Sequence, residues 1–405
     1  MSDPSGPASS VEGTFLGPAR GRGAGLNPAS RFETVRLSIA GEFRDHLAAS
    51  PDSASEACEG EPSAAAAGST YPKFQTRVEP DATREILNFV DSPDLPFSWT
   101  INPYRGCEHG CIYCYARPGH EYFGLSCGMD FEARIFAKHE APALLRAALL
   151  KPKWQGEPVV FSGVTDCYQP VERELRITRA CLEVCVEFRQ PVSIITKNAL
   201  IERDIDLLSD LARDGAAFAA ISLTTLDNKL ASIMEPRTSS PQARLKAIER
   251  LASAGIPVTV MTAPIIPGIN DRELPALLKA ASEAGATSAG WVLLRLPYQL
   301  KPLFLEWLQR HFPDRAKRVE SLIRQTRKGE LYNAKFGTRG RGEGPLADQI
   351  RGVFKTFAKR HGLDTPRKPH SSAAFLARRA ELEAMRAVLD AQRQEAKARE
   401  GTLWG

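Results

Sequence analysis

The stretch SWTINPYRGCEHGCIYCYAR, residues 98–117, decides how the fold is read. It opens with a short apolar run, Ser98 to Asn102, and then delivers Cys107, Cys111 and Cys114 within eight residues. A short continuous apolar run has the look of a strand buried on both faces. Five more follow: Val159 to Ser162, Val192 to Thr196, Ala219 to Thr224, Val258 to Ala263 and Gly290 to Arg295. Amphipathic stretches alternate with them, at Ala141 to Leu150, Glu174 to Phe188, Ile205 to Asp214, Pro241 to Ala254 and Asp271 to Ala284. Gly215, Gly255 and Gly285 each follow such a stretch, where a helix-ending glycine belongs. Six β-α repeats predict a parallel sheet, either doubly wound or curled into a full or partial barrel. No strand is followed by G-x-G-x-x-G or a Walker-type Gly-Lys-Ser, so nucleotide-fold readings lack their fingerprint.

Around this core the chain has 405 residues, 43% hydrophobic, 25% charged and 8% aromatic, enough apolar content to exclude wholesale disorder. Eight cysteines are too sparse for a disulfide scaffold. The longest charge-free apolar run, Ile256 to Asn270, has 15 residues and three prolines, which argues against a membrane span. The first 30 residues carry no basic segment followed by an apolar one, so a cytoplasmic protein with reduced thiols is expected. The net charge of +5 is uneven: residues 301–405 hold 23 Lys+Arg against 12 Asp+Glu, and residues 1–300 hold 30 against 36. A basic C-terminal third suits a nucleic-acid-facing surface, and equally a solvated helical tail.

Residues 1–70 read as a largely disordered N-terminal arm and linker, with Ser50 to Thr70 lacking apolar periodicity. Within that arm Arg20-Gly21-Arg22-Gly23-Ala24 through Asn27-Pro28 to Arg31-Phe32-Glu33 is basic and Gly-rich, which fits a flexible segment. Residues 71–300 form the expected core domain, 301–370 a helical and loop extension, and 371–405 a charged helix. Leu331 to Gly344 interleaves Gly, Arg and aromatics, as a nucleic-acid contact or a loop clasping a barrel mouth would.

The C-x3-C-x2-C spacing puts three thiolates on one loop, able to converge on a soft metal. A closed zinc site would need a fourth ligand, from His109, Cys127 or farther away. A cubane iron–sulfur cluster on three thiolates leaves one iron open. Cys181 and Cys185, one helical turn apart in an apolar stretch, read as core, and Cys58 carries no signal.

With Tyr113 before the last cysteine, the motif and its position resemble those of the radical S-adenosylmethionine (radical SAM) superfamily, over roughly Ser98 to Pro297. The resemblance implies an α/β fold built as a partial (β/α)6 TIM-type barrel, with the disordered arm and a basic helical C-terminal extension. It implies a [4Fe–4S] cluster on Cys107, Cys111 and Cys114, whose open iron chelates S-adenosylmethionine (SAM). One electron then yields methionine and a 5′-deoxyadenosyl radical, so a flavodoxin- or ferredoxin-like reducing donor is implied as well. By the same resemblance Tyr113 lies against the adenine, and Lys197 pairs with the SAM carboxylate. Ser222 serves the ribose or the carboxylate. The stretch Ser162-Gly163-Val164-Thr165-Asp166 stands where the family has a Gly-Gly-Glu-like turn holding the methionyl amine, with a single glycine and with Asp166 for the acid. Pro264 to Asn270, including Gly268, corresponds to the adenine-binding strand end.

The run-in Thr100 to Cys111, the following Tyr113-Cys114-Tyr115-Ala116-Arg117, the Glu235-Pro236-Arg237 turn and Arg339 to Gly344 resemble the spore photoproduct lyase-like branch, often labelled DNA repair photolyases. Lyases of that branch use a further cysteine as hydrogen-atom donor; Cys167 is the nearest candidate, its alternative being a small buried residue, and Cys127 presents the same choice. Two substrate readings remain open. One is nucleic acid, held by the basic C-terminal third with Tyr168, Tyr298, Tyr332 or Phe336 near the mouth. The other is a protein, peptide or small molecule. A non-catalytic metal-binding interaction protein is the third reading.

Overall fold

A computed structural model describes residues 13–17, 19, 21–32, 75–366 and 368–401. Strands β1 (Gly13–Phe15) and β2 (Leu26–Pro28) form an antiparallel hairpin. Next come β3 (Arg77–Pro80), β4 (Leu87–Phe89), β5 (Trp99–Ile101), β6 (Tyr104–Arg105) and β7 (Arg134–Ala137). The five later apolar runs become β8 (Val159–Phe161), β9 (Val192–Thr196), β10 (Ala217–Ser222), β11 (Val258–Ile265) and β12 (Ser288–Leu293). The largest sheet runs β12-β11-β10-β9-β8-β5-β4, parallel throughout except for β4 on its edge. Sequence order equals spatial order across β5 and β8 to β12. A doubly wound sheet reverses its order partway, so that alternative falls.

The crossover helices include α1 (Met129–Ala133) and α2 (Ala141–Leu149) ahead of β8. Then α3 (Ile177–Phe188), α4 (Ile205–Arg213), α5 (Pro241–Ser253) and α6 (Leu274–Glu283) precede β9, β10, β11 and β12 in turn. The expected helix from Glu174 is broken at Arg176, whose φ of 53° separates a short turn from α3. Their apolar faces meet strands that are buried on both sides, β10 along its whole length, in one large core. Burial of this kind stabilises by about 25 cal/mol per Å² of apolar surface removed from water.

A second core lies beneath the cysteine loop. Helix α7 (Leu300–His311) presents Leu303, Phe304 and Trp307 to Ile112 and Tyr113, and the Trp307 Nε1–H donates to the Ile233 carbonyl at 2.9 Å. Core packing therefore runs across residue 300. After α8 (Ala316–Gln325), the aromatic and glycine-rich loop leads into α9 (Pro345–Arg360). That loop touches both edges of the sheet. The Leu293 N–H on β12 donates to the Gly340 carbonyl at 2.9 Å, while the Gly337 N–H and Arg339 reach Asp94, between β4 and β5, at 2.6 and 2.5 Å.

The last helix, α10 (Ala373–Gly401), begins under the sheet, at the N-terminal ends of its strands. There the Ser371 N–H bonds the Gly215 carbonyl, His370 lies against Val192 and Ser193, and Phe375 is fully buried over Gly156. Among the described residues no helix is long and apolar enough to cross a membrane.

The N-terminal segment corrects the expectation of a disordered arm. Residues 21–28 are docked, with Arg22, Ala24 and Leu26 buried. Hydrogen bonds to partners about a hundred residues away hold it, among them Gly23 and Ala24 to Glu132, and these leave no periodic trace in the sequence. The linker from 33 to 74, with Cys58, and residues 1–12 lie outside the described residues.

Candidate active site

The site is built at the C-terminal edge of the parallel sheet. Directly after β6, Gly106 takes a φ of 76° that a side chain would resist, and Gly110 does the same at 65°. These two bends coil the chain tightly. The Gly110, Cys114 and Arg117 N–H groups close turns onto the carbonyls of Cys107, Cys111 and Cys114, at 3.4, 3.2 and 3.2 Å. The Cys107 N–H donates to Phe131 and the Ile112 N–H to Met234, tying the loop to α1 and to the helix Asn228–Met234.

Cys107 and Cys111 are buried and Cys114 nearly so. Burial pushes all three thiols up; Asp166, Cys111 and Cys114 add to the effect at Cys107, and Glu235 adds to it at Cys111. The three thiols thus sense one another on one buried loop. No group of three or more His, Cys, Asp or Glu side chains among the described residues is yet arranged to hold a metal ion. The donor chemistry nevertheless fits a soft metal: burial and the neighbouring acids favour the protonated thiols, and a bound cation would displace those protons and invert that preference.

Lys197, just past β9, faces this loop. Its ammonium is 3.3 Å from the Ala263 carbonyl, 3.7 Å from Glu235 and 5.6 Å from the centre of the Tyr113 ring. Burial lowers its pKa to about 8. The acid behind it, Glu235, is fully buried and takes hydrogen bonds from Tyr113, from Thr224 at 2.7 Å and from Arg244. Arg244 also donates to the Ser222 carbonyl at 3.0 Å. Tyr113, Lys197 and Ser222 therefore share one neighbourhood, knitted by a carboxylate and a guanidinium.

Asp166 is engaged inside the protein. Its carboxylate accepts the Tyr168 N–H at 2.9 Å, the Thr196 hydroxyl at 2.7 Å and the Lys197 N–H at 2.8 Å, with His109 Nδ1 3.4 Å away. Burial works against its charge, but His109, Thr196 and the Lys197 N–H outweigh it and hold the acid below the usual carboxylate range. Ser162, at a φ of 77°, accepts the Cys167 N–H at 2.9 Å, and the Asn102 carboxamide oxygen gathers the Gly163 and Val164 N–H groups at 2.9 and 2.8 Å. Gly268 sits in a turn with φ 81°, its N–H on Asp271, where a Cβ would press on Leu322.

Two of the candidates lie inside the main core. Cys167 is fully buried in the main core, its carbonyl held by the Thr178 hydroxyl, and burial pushes its thiol well up. Tyr168 is equally buried, its hydroxyl on Asp204 at 2.9 Å, so it does not line the mouth. Cys127, Cys181 and Cys185 are buried too. By contrast Tyr298, Phe336 and Tyr115 are exposed, each ring faced by a guanidinium: Arg31 at 3.8 Å, Arg339 at 4.1 Å and Arg295 at 4.8 Å.

Sequence reasoning missed Glu235 as a hub, although it opens the Glu235-Pro236-Arg237 turn. That turn packs on the loop, with the Arg237 N–H on the His109 carbonyl at 3.3 Å and its guanidinium on Glu108 at 3.0 Å. It also missed Arg117, whose Nε donates to the Cys111 carbonyl at 2.9 Å, and Glu132, which pairs with Arg117 at 2.5 Å. Arg117 was within reach, three residues past the last cysteine. Glu132 and Arg244 sit in ordinary-looking charged helices and gave no signal.

The Radical SAM superfamily model matches residues 101–281. An uncharacterized protein of Mycobacterium tuberculosis is 36% identical over 245 residues, 60% of this chain and 72% of its own. A radical SAM Nα-GlyT isomerase of Pseudomonas phage M6 is 25% identical over 56% of this chain and 46% of its own. Among solved structures, a mutant spore photoproduct lyase with bound AdoMet and dinucleoside spore photoproduct overlays on 70% of this chain and 78% of its own, at 15% identity and a TM-score of 0.49.

Proposed function

The chain belongs to the radical SAM superfamily and is an enzyme of it, and on that premise we propose that Cys107, Cys111 and Cys114 hold a [4Fe–4S] cluster serving a reaction on nucleic acid. Membership implies an iron–sulfur cluster, SAM and an electron donor; a flavodoxin- or ferredoxin-like donor is the one proposed. When bound, the cluster would supply the electron that splits SAM into methionine and a 5′-deoxyadenosyl radical. The observation that carries the proposal is the set of three cysteines on one tightly coiled, largely buried loop, with the Lys197 ammonium 5.6 Å from the ring of Tyr113 on that loop.

The chain's own residues then divide the work. Lys197 offers a cation to the SAM carboxylate, and Tyr113, steadied through its hydroxyl by Glu235, offers a ring face to the adenine. Ser222 is assigned to the ribose and the Gly268 turn to the adenine. Ser162 and Gly163 present the loop that receives the methionyl amine. Asp166, with its oxygens already committed, orients Lys197 and that loop. Cys167 is not proposed as hydrogen donor, because its thiol lies in the core. The sheet is proposed to curl into a partial (β/α)6 barrel, a reading supported by the loop 337–340 that reaches both of its edges. Residues 71–300 are proposed as the SAM-binding body, with 301–370 and 371–405 as its extension.

Reconstitution with iron and sulfide under anaerobic conditions tests the ligand set. Wild type should gain a brown iron–thiolate absorbance that Cys107→Ala, Cys111→Ala and Cys114→Ala each lose; an absorbance that survives in the triple variant removes these ligands from the account.

Nucleic acid is favoured over a peptide or small molecule by the exposed rings of Tyr115, Tyr298 and Phe336, each beside an arginine, because base–aromatic stacking next to guanidinium charge suits single strands. Affinity for single-stranded DNA should fall steeply between about 50 and about 200 mM salt, as counterion release requires. An affinity indifferent to salt would move the substrate to the other class.

A further inference from the structure

The segment Arg22-Gly23-Ala24 lies directly against the cysteine loop. Glu132, fully buried on α1, accepts the Gly23 N–H at 3.0 Å and the Ala24 N–H at 2.9 Å, and the same carboxylate pairs with Arg117, which holds the Cys111 carbonyl. Arg22 donates to the Glu132 carbonyl at 2.5 Å and to the Thr76 hydroxyl at 2.9 Å, and Thr76 in turn bonds Glu108, the residue after Cys107. Gly23 touches the loop so closely that a Cβ there would overlap the carbonyl oxygen of Gly110, the residue before Cys111. From the other side Arg310 of α7 reaches the Gly23 carbonyl at 3.3 Å, and Ala24 and Leu26 share a core with Cys111 and Tyr113.

Three lines of contact thus end on residues 107–111, two on the Gly110 and Cys111 carbonyls and one on the Glu108 carboxylate. Buried charged groups are costly to desolvate and are kept where they are paired and hydrogen-bonded, as Arg22, Arg117 and Glu132 are here. Nothing in the proposed chemistry uses this assembly, which packs on the Gly110 carbonyl and shares an apolar cluster with Cys111. We propose that residues 21–28 form a strap that fixes the cysteine loop and shields its thiols from water and chelators, so that the metal site is completed by the N-terminal segment as well as by the sheet. The strap acts through the loop backbone and is a positioning element; it rests on the reading of Cys107, Cys111 and Cys114 as ligands.

The test uses full-length, metal-free, reduced protein and the rate at which a disulfide reagent such as Ellman's consumes its thiols. Gly23→Val, which drives the strap off Gly110, should raise the rate of the loop thiols at least tenfold, and Arg22→Ala, which inserts no bulk, several-fold. The increase should vanish when Cys107, Cys111 and Cys114 are all Ser, while far-ultraviolet circular dichroism stays at the wild-type value. Wild-type rates in folded Gly23→Val and Arg22→Ala, or an increase that persists in the triple-serine background, would overturn the strap. The readout needs no iron, so a wild type that takes up no cluster refutes the ligand reading while the strap's effect on the thiols is still measured. In cluster-loaded protein the same variants should lose iron absorbance to EDTA faster than wild type.

Discussion

At the residue scale, the site hinges on Glu235. A fully buried carboxylate is tolerated because Arg244, Tyr113 and Thr224 satisfy it, with Lys197 beside it. Tyr113 and Lys197 face the proposed SAM pocket while Arg244 and Thr224 anchor the carboxylate, so Glu235 sets where Lys197 and Tyr113 stand. Glu235→Gln keeps the shape and removes the charge. SAM affinity measured by calorimetry should fall at least tenfold, about 1.4 kcal/mol, and Lys197→Met should do the same. Unchanged affinity in both folded variants would separate this polar cluster from SAM binding. The resemblance singled out Tyr113, inside the cysteine motif, and Lys197, at a strand end. Sequence alone had no means of seeing that a glutamate 38 residues beyond Lys197 and an arginine nine residues later would close around them.

At the element scale, what was legible follows from burial. Strands β8 to β12 announce themselves as unbroken apolar runs because both faces are covered, and their helices as amphipathic stretches between them. Strand β3, by contrast, is mostly exposed and reads Arg-Val-Glu-Pro, and β6 is two residues long, so neither carries a pattern. The N-terminal hairpin and strap hid for another reason: they are held by hydrogen bonds and charge pairs to α1 and α7, and such contacts have no period. The basic tail was readable as a helix, but not as to what its first turns pack against. Phe375, with Arg378 and Arg379 on the carbonyls of Glu187, Trp154 and Pro152, pins the beginning of α10 to the underside of the sheet. Much of the C-terminal basic charge is therefore far from the cysteine loop, and several of its arginines are already paired along their own helices, as Arg324 is with Glu320 and Arg379 with Glu383.

At the scale of the whole molecule, the N-terminal strap, the parallel sheet and the loop after α8 converge on the C-terminal edge, while the tail closes the opposite end. That arrangement sets the buried pairs Arg117–Glu132 and Arg244–Glu235 around one loop of three cysteines and leaves exposed arginine-faced rings at its rim. As proposed, this loop turns an electron into a SAM-derived radical. The most direct measurement is product analysis of reconstituted protein incubated with SAM and dithionite in the absence of oxygen. Methionine and 5′-deoxyadenosine should form in equal amounts, both lost in Cys107→Ala, Cys111→Ala and Cys114→Ala. Intact SAM in a wild-type sample that carries its full iron–thiolate absorbance would contradict it.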